Sequence, residues 1–511
     1  MNSGKQIKMG AIISYVLIAA NAFWGLIITP FVLRTLGTAS YGVYQTISSF
    51  AASMMVLDFG LGAMVMRYVA KYRAERKNNE IEPFISMAIC EAVILIVVVA
   101  VVSLVLYFNI DGIYGESFSK EQLTSAHQIF IVLSVLMMAQ FIEHIFNGVI
   151  SGYNNFILSN GIKLIRLVFK MVLVFVLLPI YKNAVVLVAI DLGITILMIL
   201  AEMFYIRNRY KLKIRFSYKT WDGAVFKESF IYALMLFLMS ITAQIEGNLD
   251  TIVIGAVRGP ELVTIYSFGI TIFSMYKQIS TSISGVMLPT VTEQIQHDET
   301  GTKIQNLIVS VGRVQFILLG AATVGFVVLG KEFIALWLGN GFEDVYIITL
   351  ILMLPALFEL CVNVCLAVLR AKNMLGFQTS VLFLSTILNL VITVVGVTLW
   401  NYFAAAIGTA FSFIVGSLII MNIYYHKKLG FNMFAIYRRI LSKIWSCLLI
   451  AGASIWIISK YIAGSWIAFA ANILIFCVIY GLCLVLWGLN ADEKRQISLI
   501  NKLNFRRSKS E

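Results

Sequence analysis

Apolar residues form fourteen blocks of roughly 20 residues or more along the chain, separated by short polar segments. A helix needs about 20 apolar residues to cross the hydrocarbon core of a bilayer, whereas the strands of a membrane barrel alternate over about ten. The pattern therefore predicts an all-α polytopic membrane protein with fourteen transmembrane helices. The predicted spans are residues 9–33, 41–68, 84–109, 127–151, 158–180, 184–206, 227–256, 262–289, 308–337, 345–369, 376–399, 402–424, 441–459 and 466–488.

Basic residues are concentrated in alternate polar segments. If the N-terminus is inside, 32 of the 39 Lys and Arg residues lie on the cytoplasmic side, six lie outside, and Lys277 remains within a span. Cytoplasmic loops carry this excess in membrane proteins. We therefore expect a multi-pass membrane protein with both termini in the cytoplasm. The net charge of +13 follows from this orientation, with membrane lipid headgroups as the partner and no nucleic acid.

A weak internal repeat suggests how the spans are grouped. Gly37 and Tyr44 follow the first span, and Gly259 and Tyr266 follow the seventh at the same spacing. Because six spans separate the copies, the repeats would be parallel and related by an axis along the membrane normal. This predicts two six-helix lobes that face each other across a central cavity. The predicted divisions are an N-lobe (1–225), a C-lobe (226–424) and a third part (425–511) with spans 13 and 14 and a cytoplasmic tail.

The sequence lacks the usual signs of catalysis. It contains no Gly-x-x-x-x-Gly-Lys-Ser/Thr loop for nucleotide phosphates, no Cys-x-x-Cys pair, and only four scattered His residues. The longest predicted outside loop, residues 110–126, is short for a membrane glycosyltransferase or a glycan polymerase. We therefore expect a transporter, not an enzyme, with no catalytic residues, metal site or cofactor, driven by a gradient or by a partner.

Lys277 is a charge that lies deep in the predicted eighth span. A charge near the bilayer centre costs about 2.5–3.5 kcal/mol on insertion scales. Counted along one helix, Lys277 lies 12 residues, or about 18 Å, from Pro289 at the inner end. One hypothesis is a cationic contact for an anionic substrate in the cavity. The other is a structural ion pair with Glu246 or Asp250.

The fifth span carries a stripe of cations, Lys163, Arg166 and Lys170, at positions i, i+3 and i+7. The stripe could guide a phosphate group from the cytoplasmic leaflet toward the midplane. Alternatively, Lys163 and Arg166 extend to the headgroups as ordinary anchors, which leaves Lys170 as the best candidate for the phosphate path. The same two interpretations apply to Arg67 and Arg313, which flank inner helix ends, and the anchor role is favoured for both.

Acidic residues within the spans form a second group of candidates. Glu246 and Asp250 are four residues apart on one predicted helix face, so they could share a proton or a sodium ion. Charge balance with Lys277 is the competing explanation. Asp58 lies in the second span and belongs to the same group of residues for ion coupling or structural charge pairing.

Five segments carry a resemblance to a known family: 33–37, 41–45, 57–62, 67–73 and 248–255. They resemble the Wzx-type oligosaccharide flippases of the multidrug/oligosaccharidyl-lipid/polysaccharide exporter superfamily. Arg34, Asp58, Arg67 and Asp250 lie within these segments, whereas Lys277 lies outside them.

The resemblance implies two six-helix bundles in a V shape that work by alternating access. It implies transport of an undecaprenyl-pyrophosphate-linked oligosaccharide to the outer leaflet for O-antigen, capsule or lipopolysaccharide assembly, with polysaccharide polymerase machinery as a candidate partner. In related lipid II flippases two extra helices are associated with a groove for the lipid tail, a role open to spans 13 and 14. The alternatives are a cation-coupled multidrug antiporter and a lipid II flippase.

Overall fold

The structure of the chain is a computed structural model that describes most of the sequence. It describes residues 16–212, 247–285, 287–297, 301–372, 374–490 and 493–494, and the single positions 13, 223, 237, 241 and 244. Within these residues all regular secondary structure is helical. Eleven helices are long and apolar enough to cross a membrane, or twelve if one bent pair forms a single span. The all-α polytopic class is therefore confirmed, and the count of fourteen stays a prediction.

The helices of the first half match the predicted apolar blocks in order. They are α1 (Val16–Leu36), α2 (Thr38–Met54), α3 (Leu61–Ala74), α4 (Ile81–Tyr114), α5 (Lys120–Gly152), α6 (Phe156–Tyr181) and α7 (Ala184–Tyr205). The predicted seventh span lies mostly outside the described residues, and its last part, 247–258, is helical.

The helices of the second half are α8 (Pro260–Ser284), α9 (Leu288–His297), α10 (Thr302–Trp337), α11 (Glu343–Cys361), α12 (Val364–Ala371), α13 (Leu375–Leu399), α14 (Phe403–Leu429), α15 (Met433–Leu441), α16 (Ile444–Ile458) and α17 (Trp466–Gly488). Among them, α8 is long enough to span but less apolar than the eleven, because its polar residues are distributed along its whole length.

The predicted second span is broken in its middle. After α2, a short 3-10 turn covers Met55–Asp58, and Phe59 and Gly60 then have positive φ angles of 51° and 66°. A left-handed residue interrupts the helical hydrogen bonds, and it costs a residue with a side chain more than it costs glycine. The break places the Asp58 carboxylate at an interrupted helix, where His144 Nδ1 lies 3.1 Å away.

The chain forms two compact units by contacts between residues. The first unit comprises residues 1–267 and 389–405, and the second comprises 268–388 and 406–511. In the first unit α5 is central, since α2, α3, α4, α6 and α7 all pack against it. In the second unit α10 has this place, with α11, α15, α16 and α17 around it. The lobe boundaries expected from the sequence remain a prediction.

Arg313 joins three elements of the second unit from within α10. Its side chain is almost fully buried, and its guanidinium donates to the Arg439, Ser442 and Gly488 carbonyl oxygens at 3.0, 3.2 and 2.9 Å. These carbonyls lie at the 42° bend between α15 and α16 and at the end of α17. The anchor role favoured for Arg313 was therefore wrong, because the side chain satisfies helix ends instead of reaching the headgroups.

Glu493 completes the hydrogen bonds of this guanidinium. Its Oε1 and Oε2 accept from Arg313 Nε and Nη2 at 2.6 and 3.0 Å. Burial raises the pKa of Glu493, but the hydrogen bonds from Arg313 and from the Asn490 N–H, with the Arg313 charge, outweigh it and hold the pKa below its usual range. The carboxylate therefore remains ionised at neutral pH. It forms two parallel hydrogen bonds with the guanidinium, the bidentate geometry typical of arginine and carboxylate.

Gly42 marks a close approach within the first unit. A Cβ atom at this position of α2 would overlap the carbonyl of Pro260, and Thr264 Oγ1 would lie 2.9 Å away. We expect Gly42→Ala to destabilise the protein by about 1–3 kcal/mol, because a backbone carbonyl cannot move aside as a flexible side chain can. Thermal unfolding of the purified protein in detergent measures the loss. Gly161→Ala, where a Cβ would meet nothing within 4 Å, is the control, and equal stability of the two variants would contradict the prediction.

Candidate functional site: a polar ladder in the first unit

Three adjacent helices of the first unit place polar side chains at matching heights. On α5 these residues are four apart, and on α6 and α7 they are four or seven apart, so each set lies on one helix face. We call this set the polar ladder. It consists of Glu143, Asn147 and Ser151 of α5, Ser159, Arg166 and Lys170 of α6, and Asp191, Thr195 and Glu202 of α7.

The lowest level of the ladder lies near the predicted cytoplasmic helix ends. Ser151 Oγ donates to Ser159 Oγ at 3.2 Å, and Ser159 Oγ donates to Asn147 Oδ1 at 3.0 Å. Asn147 Nδ2 then donates to Oε1 of Glu202 at 3.2 Å. Glu202 is completely buried. This chain of hydrogen bonds links all three helices through uncharged groups and one carboxyl group.

An arginine pair forms the middle level. Arg166 Nη1 donates to both carboxylate oxygens of Glu143, at 2.9 and 2.8 Å, and Nη2 donates to Thr195 Oγ1 at 2.9 Å. Hydrogen bonds between two charged groups are about twice as strong as neutral ones. Arg166 therefore points into the bundle, toward Glu143, and its positive charge is balanced there.

A lysine pair forms the upper level, near the middle of α6. Lys170 Nζ donates to Asp191 Oδ2 at 2.7 Å, and the two side chains are 19% and 16% exposed. The ammonium also lies 4.7 Å from the centre of the Trp24 ring, a distance that gives a favourable cation–π contact. Trp24 begins a π-helical turn, Trp24–Ile28, within α1. Such turns are frequent at functional sites.

Other predicted cations of the first unit lie elsewhere. Lys163 and Arg67 are both exposed, and neither belongs to the polar ladder. The structure thus brings together Arg166 and Lys170, two members of the predicted stripe, and gives each an acidic partner. Contact of these four residues with a substrate stays a prediction.

Asp250 forms a separate buried cluster of the first unit. Its carboxylate accepts from the Tyr266 hydroxyl at 2.6 Å and from Thr393 Oγ1 at 2.9 Å. Thr393 also lies 3.3 Å from Asn389 Oδ1. Glu246, the expected partner in ion coupling, lies outside the described residues. The roles of Asp250, Glu246 and Asp58 in ion coupling or charge pairing therefore stay predictions.

Lys277 lies in the second unit against two aromatic rings. Its Nζ is 5.7 Å from the centre of the Phe273 ring and 5.5 Å from that of Phe413. The helix that carries it, α8, ends at Ser284, and Pro289 lies in the separate helix α9. The continuous helical path is therefore seven residues, or about 10 Å, and the 18 Å counted to Pro289 assumed one unbroken helix. The cation is partly exposed, as a contact for a substrate requires.

An apolar groove of about 310 Å³ lies between α10 and α17 on the second unit. Small residues such as Ala321 and Gly325 form one wall, and Phe469 and Phe476 form the other. The resemblance to flippases implied that spans 13 and 14 could hold a lipid tail. This groove, formed by α17 of span 14 with α10, has the apolar lining that a hydrocarbon chain needs, and the role itself stays a prediction.

The residues of this region that were not predicted from the sequence include Asn147 and Glu202 of the polar ladder, and Trp24 beside it. One amide, one acid and one indole in apolar helices carry no distinctive motif. The signal that was available is the spacing: Ser159 and Arg166, like Thr195 and Glu202, are seven residues apart. Polar residues that recur at the same spacing on two adjacent helices predict a line of polar contacts between those helices.

Comparison with known proteins finds two relatives that are described as a transporter and a flippase. A "Putative O-antigen transporter" of Salmonella typhi is 23% identical over 356 residues, which cover 66% of this chain and 78% of that protein. A "Probable flippase AglR" of Haloferax volcanii is 25% identical over 215 residues, which cover 41% of this chain and 44% of that protein. This chain thus matches less than half of the second relative.

Solved structures share the fold at low sequence identity. The lipid II flippase MurJ in an inward closed conformation matches with a TM-score of 0.73 and 15% identity, over 93% of this chain and 97% of that one. A multidrug resistance MATE family transporter of the MOP superfamily in its inward-facing conformation matches with a TM-score of 0.64 and 14% identity, over 84% of this chain and 100% of that one.

The family model described as "Polysaccharide biosynthesis protein" matches residues 7–295, which is more than half of the chain. That range contains all nine residues of the polar ladder and also Lys277. Because this match covers more than half of the sequence, the chain belongs to the polysaccharide biosynthesis protein family.

Proposed function

We propose that this protein is a flippase that moves undecaprenyl-pyrophosphate-linked oligosaccharide from the cytoplasmic to the outer leaflet of a bacterial cytoplasmic membrane by alternating access. The product would serve the assembly of O-antigen, capsule or a related surface polysaccharide. The polar ladder is the observation that carries the proposal. Charged groups within membrane spans are costly, so two ion pairs there are not expected in a bundle with a purely structural role. A path for sugars and phosphates, in contrast, needs polar walls.

The headgroup and the tail of such a substrate need different surroundings. Sugars and pyrophosphate must cross where protein or water replaces hydrocarbon, because unsatisfied polar groups in lipid cost several kcal/mol. The ladder of the first unit and Lys277 of the second unit are candidate contacts for this headgroup. The polyprenyl tail can remain in lipid or in the apolar groove between α10 and α17.

The charge of Lys277 favours an anionic cargo over a cationic drug. A multidrug antiporter of the same fold would bind cations, and a lysine at the substrate would repel them. The pyrophosphate of a lipid carrier, in contrast, gains from one or more ammonium or guanidinium contacts. Lipid II carries the same pyrophosphate, so the charge of Lys277 does not distinguish an oligosaccharide flippase from a lipid II flippase. The sugars of the headgroup distinguish the two.

Deletion of the gene followed by analysis of lipid carriers tests the proposal. We expect complete oligosaccharide-pyrophosphate-lipid to accumulate in the cytoplasmic leaflet, because synthesis continues while transport stops. Leaflet location is measured by access of a membrane-impermeant sugar-binding probe to right-side-out and inverted vesicles, and re-expression of the wild-type protein is the control. Single unpolymerised units in the outer leaflet would instead indicate a polymerase and would contradict the proposal.

A further inference from the structure

We propose that Trp24, Lys170 and Asp191 form a binding subsite for the uncharged sugars of the transported headgroup, and not for its phosphates. The inference rests on the proposed function and specifies which part of the substrate the upper level of the polar ladder contacts. It departs from the sequence-based hypothesis, in which Lys170 was a phosphate contact.

Charge balance is the first argument. The Lys170 ammonium and the Asp191 carboxylate are 2.7 Å apart, so the pair has no net charge. A phosphate approaching Lys170 would meet the Asp191 carboxylate at nearly the same distance, and like charges this close repel strongly in a membrane protein. Arg166, one turn away on α6, is likewise balanced by Glu143. The upper and middle levels therefore attract anions weakly.

Hydrogen-bonding capacity is the second argument. An ammonium has three donors and a carboxylate has about four acceptor positions, whereas the contact between Lys170 and Asp191 uses one of each. Neighbouring hydroxyls of a sugar ring donate and accept at once, which matches this mixed pair. Both side chains are partly exposed, at 19% and 16%, so a ligand can reach them.

The indole of Trp24 is the third argument. One face of a sugar ring presents C–H groups, and an aromatic face is a suitable surface for them because it is apolar and electron-rich. Trp24 is half-buried and lies 4.7 Å from the Lys170 ammonium, so the aromatic surface and the hydrogen-bonding pair are adjacent. The π-helical turn that starts at Trp24 changes the angular spacing of side chains in α1. An apolar platform beside a neutral polar pair is the chemistry of carbohydrate recognition.

Binding of two carriers to the purified full-length protein in nanodiscs tests the subsite. The probes are bare undecaprenyl pyrophosphate and the complete lipid-linked oligosaccharide extracted from the deletion strain. We expect Trp24→Leu to weaken binding of the glycosylated carrier about tenfold, equivalent to about 1.4 kcal/mol, and to leave binding of the bare carrier unchanged. Trp24→Phe should restore most of the affinity, since it keeps an aromatic face.

Two further variants separate recognition from folding. Trp456 also contacts a lysine, with Lys460 Nζ 3.6 Å from its ring centre, but it lies on α16, so Trp456→Leu should leave both affinities unchanged. Asp191→Asn keeps the size of the side chain and leaves Lys170 with an unbalanced charge. We expect this variant to bind the glycosylated carrier more weakly and the bare carrier more tightly.

The possible results are distinguishable. Equal loss for both carriers in Trp24→Leu would assign the subsite to phosphate or tail and overturn the inference, and so would unchanged binding of both. If the wild-type protein binds neither carrier, the proposed function itself fails. If it binds both and Trp24→Leu discriminates between them, the sugar subsite is supported.

Discussion

Replacement of Arg313 by alanine is expected to destabilise the protein by about 3–5 kcal/mol, the cost of breaking a buried ion pair by removing one partner. The guanidinium is 1% exposed and donates to three carbonyl oxygens and to both oxygens of Glu493. Its loss removes five hydrogen bonds at a helix bend and a helix end, where, among the described residues, Ser442 O keeps only the Ile444 N–H and Glu493 Oε2 keeps only the Asn490 N–H. We expect the α15–α16 pair and α17 to detach from α10 first.

Thermal unfolding and limited proteolysis of the purified protein measure this effect. Arg313→Lys keeps the charge but lacks the five-donor fork, so its stability should be intermediate. Arg438 is the matched control, because it is exposed on α15 and its side chain forms no hydrogen bond with the described residues. Surface substitutions of this kind usually change stability by no more than about 0.5 kcal/mol. An Arg313→Ala protein as stable as Arg438→Ala would contradict the capping role.

Lys277→Ala is expected to abolish glycan export while the protein remains inserted in the membrane. If the ammonium contacts the pyrophosphate, its removal eliminates a charge-assisted contact at the substrate and leaves Phe273 and Phe413 with no cation between them. Surface glycan, compared at equal protein level, is the measurement. Lys277→Arg should retain part of the activity, because it keeps the charge at the same position.

Lys331 offers a matched control for Lys277. It also lies over an aromatic ring, with Nζ 5.4 Å from the Tyr346 ring centre, but it is near the predicted outer end of α10. Lys331→Ala should therefore leave export unchanged. Normal surface glycan in Lys277→Ala, at a protein level equal to that of Lys331→Ala, would rule out the phosphate contact.

Apolar blocks predicted individual helices well where nothing interrupts them. The fifth predicted span, 158–180, corresponds to α6 (Phe156–Tyr181), which starts where the Asn155 side chain accepts from the Leu158 N–H. The break near Asp58 was not predicted, because Leu57, Phe59 and Leu61 continue the apolar pattern through it. Hydrophobicity indicates which residues lie in lipid, but it does not indicate where a residue adopts a left-handed φ and so breaks the helix.

The candidate site was predicted only in part for a similar reason. The spacing of Arg166 and Lys170 on one helix face is local, and the sequence identified it. Their partners lie on other helices, 23 residues earlier for Glu143 and 21 residues later for Asp191. Trp24, whose ring contacts the Lys170 ammonium, belongs to a further helix, α1. Which acid meets which cation depends on how the helices pack, so the sequence could not show that Arg166 and Lys170 are each paired with an acid in the bundle.

The position of Arg313 in the chain has a consequence for assembly. During synthesis α10 enters the membrane long before its acceptors exist, since Arg439 follows 126 residues later and Glu493 follows 180 residues later. The hydrogen bonds to Arg439 and Ser442 can form once the α15–α16 bend has been made, whereas those to Gly488 and Glu493 require α17 and the residues that follow it. The full set of partners of this guanidinium therefore exists only after the last helix has been synthesised.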